Sequence, residues 1–154
     1  MPHANLACGV ASLAMLLRHC LEREYDYRKL AIELKVAKAP HEKGFSWGST
    51  HLGPGVYFQD IVKWLQVNQL KFVAANIRTK QNFSLITSHI RVAPIMVGIR
   101  CKSGGHWVVL DGMQNGTFEY LDPWLKTGKL KNLSKTELFD DWDGTFIALD
   151  ELPK

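Results

Sequence analysis

Residues 104–123 read GGHWVVLDGMQNGTFEYLDP. Asn115-Gly116 is a strong two-residue hairpin signal, because both residue types tolerate the positive φ of a tight turn between twisted strands. His106-Trp107-Val108-Val109-Leu110 reads as the strand before the turn, and Thr117 to Leu121 as the strand after it. Asp122-Pro123 closes the unit, since proline cannot continue a central strand. Gly104-Gly105 is expected to turn the chain into the first arm. His106 then begins one arm and Asp122 ends the other, at similar distances from the turn, so the two side chains are expected side by side.

Working outward, Pro94 opens the buried strand Ile95 to Ile99. Beyond the hairpin, Ser134-x-x-Glu137 is a capping box that starts a last helix to about Trp142, and Thr145 to Leu149 is a closing strand. The first half is helical. Cys8 to Leu21 is apolar almost all round, which predicts a buried helix. Asp26 caps a second helix, Tyr27 to Leu34. Ile61, Trp64 and Leu65 keep helical register within Tyr57 to Asn68. Lys71 to Ile77 reads as a strand and Ser84 to Ile90 as a short helix. Between them and the second helix, Ala39 to Gly55 holds four glycines and two prolines and reads as a surface loop of the kind that carries binding function. The sum is an α+β fold, helices first and then an antiparallel sheet, in a single domain spanning 1–154.

Composition excludes several classes. Hydrophobic residues at 46% and charged residues at 22% are those of a chain with a packed core. The longest apolar candidate, Val10 to Leu17, is far short of a membrane span. The opening residues lack a basic n-region, so no signal peptide is expected and a cytoplasmic location is. The net charge of +4 comes without a basic stripe or a recognition motif, so no nucleic-acid partner is expected. Lys126, Lys129, Lys131 and Lys135 are read as spread along a loop. Three cysteines at distant positions suit a reducing compartment better than a disulfide framework. No metal-ligand spacing occurs, and Asp140-Asp141-x-Asp143 reads as a solvated helix end.

Three residues carry candidate chemistry. Cys8 is expected at the N-terminus of the buried helix, where free N–H groups and the positive dipole end favour a thiolate, the nucleophilic form. Histidine is the usual acceptor of a thiol proton near neutral pH, and His106 is expected at a sheet edge facing a cleft. A carboxylate at Asp122 accepts the imidazole N–H and sets its tautomer. Cys20 and Cys101 read as packing residues.

Cys-Gly-x-Ala-Ser-Leu-Ala-Met from Cys8, Gly-His-Trp-Val-Val-Leu-Asp-Gly around His106 and Tyr-Leu-Asp-Pro-Trp around Asp122 together resemble the papain-like cysteine peptidases. The branch most similar is the bacteriocin-processing peptidases, which remove double-glycine leaders and often form the N-terminal domain of ABC exporters. The resemblance extends to Ala93-Pro94-Ile95-Met96-Val97 and to Phe139 through Trp142. It implies a papain-like fold, Cys8 as nucleophile, His106 as base and Asp122 as orienting acid, with no cofactor. It also implies a peptide or protein substrate and a place in a larger secretion or exporter system. The family's glutamine, one oxyanion-hole donor, falls at Pro2, which leaves the backbone of Cys8 as one donor and Asn5 or His3 as the nearest side-chain replacement. Ala7 stands where the exporter-linked branch commonly has aspartate. The same machinery also serves glutamine deamidases and acyltransferase-type effectors or toxins delivered into a target cytosol, and catalytically weak peptide-binding domains share the fold. These alternatives stay open on sequence alone.

Overall fold

The computed structural model describes residues 4–34, 37–38, 46–47, 58–101, 104–121 and 131–150. Among these residues, five helices and eight strands follow in the order α1 (Ala4–Leu21), α2 (Tyr27–Glu33), β1 (Ala37–Lys38), β2 (Ser46–Trp47), α3 (Phe58–Val67), β3 (Phe72–Ala75), α4 (Lys80–His89), β4 (Ile95–Cys101), β5 (Gly104–Gln114), β6 (Thr117–Leu121), β7 (Lys131–Ser134), α5 (Lys135–Asp141) and β8 (Trp142–Leu149). The main sheet has the order β3-β8-β4-β5-β6-β7, antiparallel throughout. Fold class is therefore α+β, the class expected from a helical first half and an antiparallel strand-rich second half.

The hairpin forms at Asn115-Gly116, whose φ values of 52° and 78° are those of a tight turn that suits twisted arms. Its first arm is longer than the apolar run suggests. The polar continuation to Gln114 stays in the ladder with β6 through an irregularity between Leu110 and Gly112. Gly104 and Gly105 belong to β5 as well, paired with Cys101 and Arg100, so the expected Gly-Gly turn is strand instead. β7 corrects a second expectation: Lys131 to Ser134 pairs with β6 where a loop was read, because an edge strand held by backbone bonds leaves little hydrophobic pattern. Within the expected loop 39–55, Ser46 and Trp47 pair with Lys38 and Ala37; the rest of it lies outside the described residues.

The sheet is buried on both faces. Met96, Trp107, Ile147 and Leu149 pack with Val10, Leu13, Leu16 and Leu17 of α1, Leu30 and Leu34 at α2, and Ile61 and Leu65 of α3. Val97, Val108, Leu110, Phe118 and Phe146 pack with Phe83 and Ile86 of α4 and Leu138 of α5. Burial on both faces explains the near-continuous apolar runs in β4 and β5. On α1 one stripe is buried while Arg18 and His19 are exposed and Ala11, Ala14 and Met15 are half-buried, so the helix is less enclosed than its composition suggests.

Caps set the helix starts. The Asp26 carboxylate accepts the Lys29 N–H at 3.3 Å, as expected. α4 begins one turn earlier than read, because the Thr79 hydroxyl accepts the Asn82 N–H at 3.0 Å ahead of a polar first turn without apolar periodicity. The capping box at α5 is complete, with the Ser134 hydroxyl accepting from Glu137 N–H and the Glu137 carboxylate from Ser134 N–H. Those hydrogen bonds hold the Glu137 carboxyl below its ordinary range. At the other end of α5, Arg78 donates to the carbonyls of Phe139 and Trp142 and Arg100 to that of Asp140. These arginines supply the positive charge that the acidic last turn lacks.

Two substitutions test this account. Ser134→Ala removes half of the capping box and is expected to lower stability by about 1 kcal/mol in urea unfolding. Gly98 lies where the β4–β8 register shifts, and a Cβ there would overlap Thr145 Oγ1 and lie 2.6 Å from the Asp143 carboxylate. Asp143 Oδ1 also accepts from the Thr145 N–H and hydroxyl, so neither group swings away freely. Gly98→Ala is expected to cost about 1–3 kcal/mol by overpacking, visible as a lower thermal midpoint.

Candidate active site

Residues Ile95 to Cys101 pair with Leu110 back to Gly104 without interruption. Side chains alternate between faces along such a ladder. Val108 and Leu110 lie in the cluster beneath α4 and α5, whereas Trp107 lies in the cluster beneath α1. Alternation sets His106 with Val108 and Leu110, opposite Ile99. His106 is 3% exposed. The expected open cleft is corrected: the imidazole is shielded.

Among the described residues the ladder with β6 runs to Val109↔Leu121, two residues from Trp107. There the Ser12 hydroxyl donates to the Trp107 carbonyl at 3.3 Å. Farther along α1, the Cys20 thiol meets the Pro94 carbonyl at 3.9 Å. From Ser12 to Cys20 the helix rises about 12 Å. From Gly98, the partner of Trp107, back to Pro94 the strand covers about 13 Å. The two lengths agree, so α1 runs parallel to β5. Cys8, four residues before Ser12, stands about 6 Å farther toward the N-terminal end of both elements. That level on β5 is Gly105 to His106.

The backbone thus brings the Cys8 and His106 positions to one level along β5. Asn5, Cys8 and Ser12 follow i, i+3, i+7 spacing, which sets the three positions on one side of the helix. α1 begins at Ala4, so Cys8 opens the second turn and is not the first helical residue. In a regular helix its N–H is directed at the Ala4 carbonyl, while the unbonded N–H groups belong to the turn before it. The dipole field falls off within that first turn, so it favours a thiolate at Cys8 less than a terminal position would. Asp122 lies outside the described residues, as do Pro2 and His3. The two arms of the hairpin are unequal: Leu121 pairs with Val109, three residues along from His106, which corrects the expected symmetry about the turn.

Sequence reasoning passed over Ser12. Its signal is a single hydroxyl within the apolar stripe of α1. Among the described residues no group of three or more His, Cys, Asp or Glu is arranged to hold a metal ion. No described helix is long and apolar enough to cross a membrane.

Cys20 is 1% exposed, and burial pushes its thiol up to about 11. At pH 9 only about 1% of it is thiolate, the reactive form. In native protein at pH 9, iodoacetamide is expected to leave Cys20 unlabelled in peptide mass mapping, and to label it once urea unfolds the chain.

A family model described as the Peptidase_C39 like family matches residues 2–145. No curated protein matches the chain. Among solved structures, the peptidase domain of Streptococcus ComA, a bi-functional ABC transporter involved in a quorum sensing pathway, is 20% identical. It superposes with a TM-score of 0.66 over 96% of this chain and 92% of that one. A double glycine motif protease from an AMS/PCAT transporter, in complex with the leader peptide, is 16% identical with a TM-score of 0.60, covering 96% of this chain and 84% of that one. A structure described as that of a C39-like peptidase from Bacillus anthracis is 18% identical with a TM-score of 0.71, covering 100% and 93%.

Proposed function

The chain belongs to the Peptidase_C39 like family, and from that membership we propose that it is a cysteine peptidase in which Cys8 is the nucleophile, His106 the base and Asp122 the group that orients His106. The observation that supports this most is the parallel run of α1 and β5, which levels residue 8 with residue 106. His106 takes the Cys8 proton, and the thiolate attacks the scissile carbonyl carbon to form a C–S bond. The imidazolium then protonates the leaving amine as the C–N bond breaks, giving a thioester. A water deprotonated by His106 attacks that thioester, releases the acid and restores the thiol. With the Cys8 N–H directed along the helix, the oxyanion falls to donors of the first turn, among them Asn5.

The similar structures from exporters lead us to read the substrate as a peptide leader ending in a double glycine, cut within a secretion system. The thiolate step requires a reduced Cys8, which suits a reducing compartment such as the cytoplasm. Pro2, where the family's glutamine is expected, favours one second reading: a leader-binding domain with slow turnover, since loss of one oxyanion donor costs about 10²–10³ in rate.

The test is cleavage of a synthetic double-glycine leader joined to a short cargo, followed by mass spectrometry. Two fragments are expected from the wild type and none from Cys8→Ala. His106→Ala is expected to lower kcat/KM by about 10²–10⁴-fold. Binding without fragments in the wild type selects the second reading, and conversion of a substrate amide to an acid without cleavage selects deamidation.

A further inference from the structure

We propose that Ser12 is the positioning residue of this site: its hydrogen bond to the Trp107 carbonyl fixes how far α1 lies along β5, and so sets the separation between Cys8 and His106. The inference rests on the reading of Cys8 and His106 given above.

Ser12 is fully buried, and it and His106 are the buried polar side chains among the described residues. They meet β5 at adjacent positions, Ser12 at the Trp107 carbonyl and His106 as the residue before it. A serine inside a helix can bond back to the carbonyl four residues earlier. Ser12 donates across the fold, to a residue 95 positions away.

Apart from the long contact of the Cys20 thiol with the Pro94 carbonyl at the far end, the described seam is apolar. Val10, Leu13, Leu16 and Leu17 lie against Met96, Trp107 and Ile147, and such contact is non-directional. A hydrogen bond weakens steeply with angle and distance, so the one at Ser12, one turn from Cys8, sets the displacement of α1 there more sharply than the apolar packing does. Cys8 is one turn away on the same side of the helix, and any slip at Ser12 moves it by the same amount. A misplacement of about 1 Å at a reacting centre costs about a hundredfold.

The experiment follows the rate of Cys8 alkylation by iodoacetamide from pH 5 to 9 in wild type, His106→Ala, Ser12→Ala, Ser12→Thr and Ile86→Val, with thermal unfolding of each. Ile86, buried in the other cluster, supplies a stability control remote from the seam. Wild-type Cys8 is expected to label rapidly below pH 7 and His106→Ala to abolish that. Ser12→Ala is expected to lower the rate at pH 6 about tenfold and move the profile toward an ordinary thiol near 8.5, with the rate at pH 9 nearly unchanged. Ser12→Thr, which keeps the donor, and Ile86→Val should retain the wild-type profile. A Ser12→Ala protein with a lower thermal midpoint but a wild-type pH profile would overturn the proposal. If Ser12→Ala does not fold, a folded Ser12→Thr with an ordinary thiol profile overturns it and a wild-type one supports it. A wild-type profile that is already ordinary and insensitive to His106→Ala removes the catalytic reading itself, and this inference with it.

Discussion

The seven residue pairs between β4 and β5 run without a bulge, and that regularity fixes a parity on which the arrangement depends. One set of side chains goes to α1, the other to α4 and α5. A slip of one residue would exchange Trp107 and Val108 between layers. The register is held by apolar side chains on both faces, so neither face alone could tolerate the exchange.

Against this background the polar groups are few and local. Burying a hydroxyl or an imidazole is unfavourable unless hydrogen bonds replace those lost to water. Both buried examples meet β5 near its start, Ser12 through its hydrogen bond to the Trp107 carbonyl.

Local signals in the sequence account for much of this. The Asn115-Gly116 turn, the Ser134–Glu137 box, the Asp26 cap and the helical register of Ile61, Trp64 and Leu65 depend on neighbours a few residues apart. The starts of α1 and α4 were less legible, because polar or mixed first turns carry no apolar period. The extension of β5 through Gly104 and Gly105 and the strand at Lys131 to Ser134 come from pairing partners elsewhere in the chain. At the site, residue types at Cys8 and His106 were readable while their shared level was not. That level follows from Ser12–Trp107 and Cys20–Pro94, contacts across 95 and 74 positions. Burial of His106 follows from strand alternation, which sets it on the face of Val108 and Leu110.

The place of β8 has a consequence for synthesis. It is the last strand in the chain order and yet lies between β3 and β4, with Phe146 and Ile147 contributing to opposite cores. As the chain leaves the ribosome, β3 and β4 emerge well before the strand that joins them, and each presents an open edge that invites wrong pairing. Contacts of such long sequence separation form slowly. Among the described strands β8 is thus the one that ties β3 to the rest of the sheet, and a nascent chain that has not yet made it holds β4 to β7 together while β3 lacks its sheet partner.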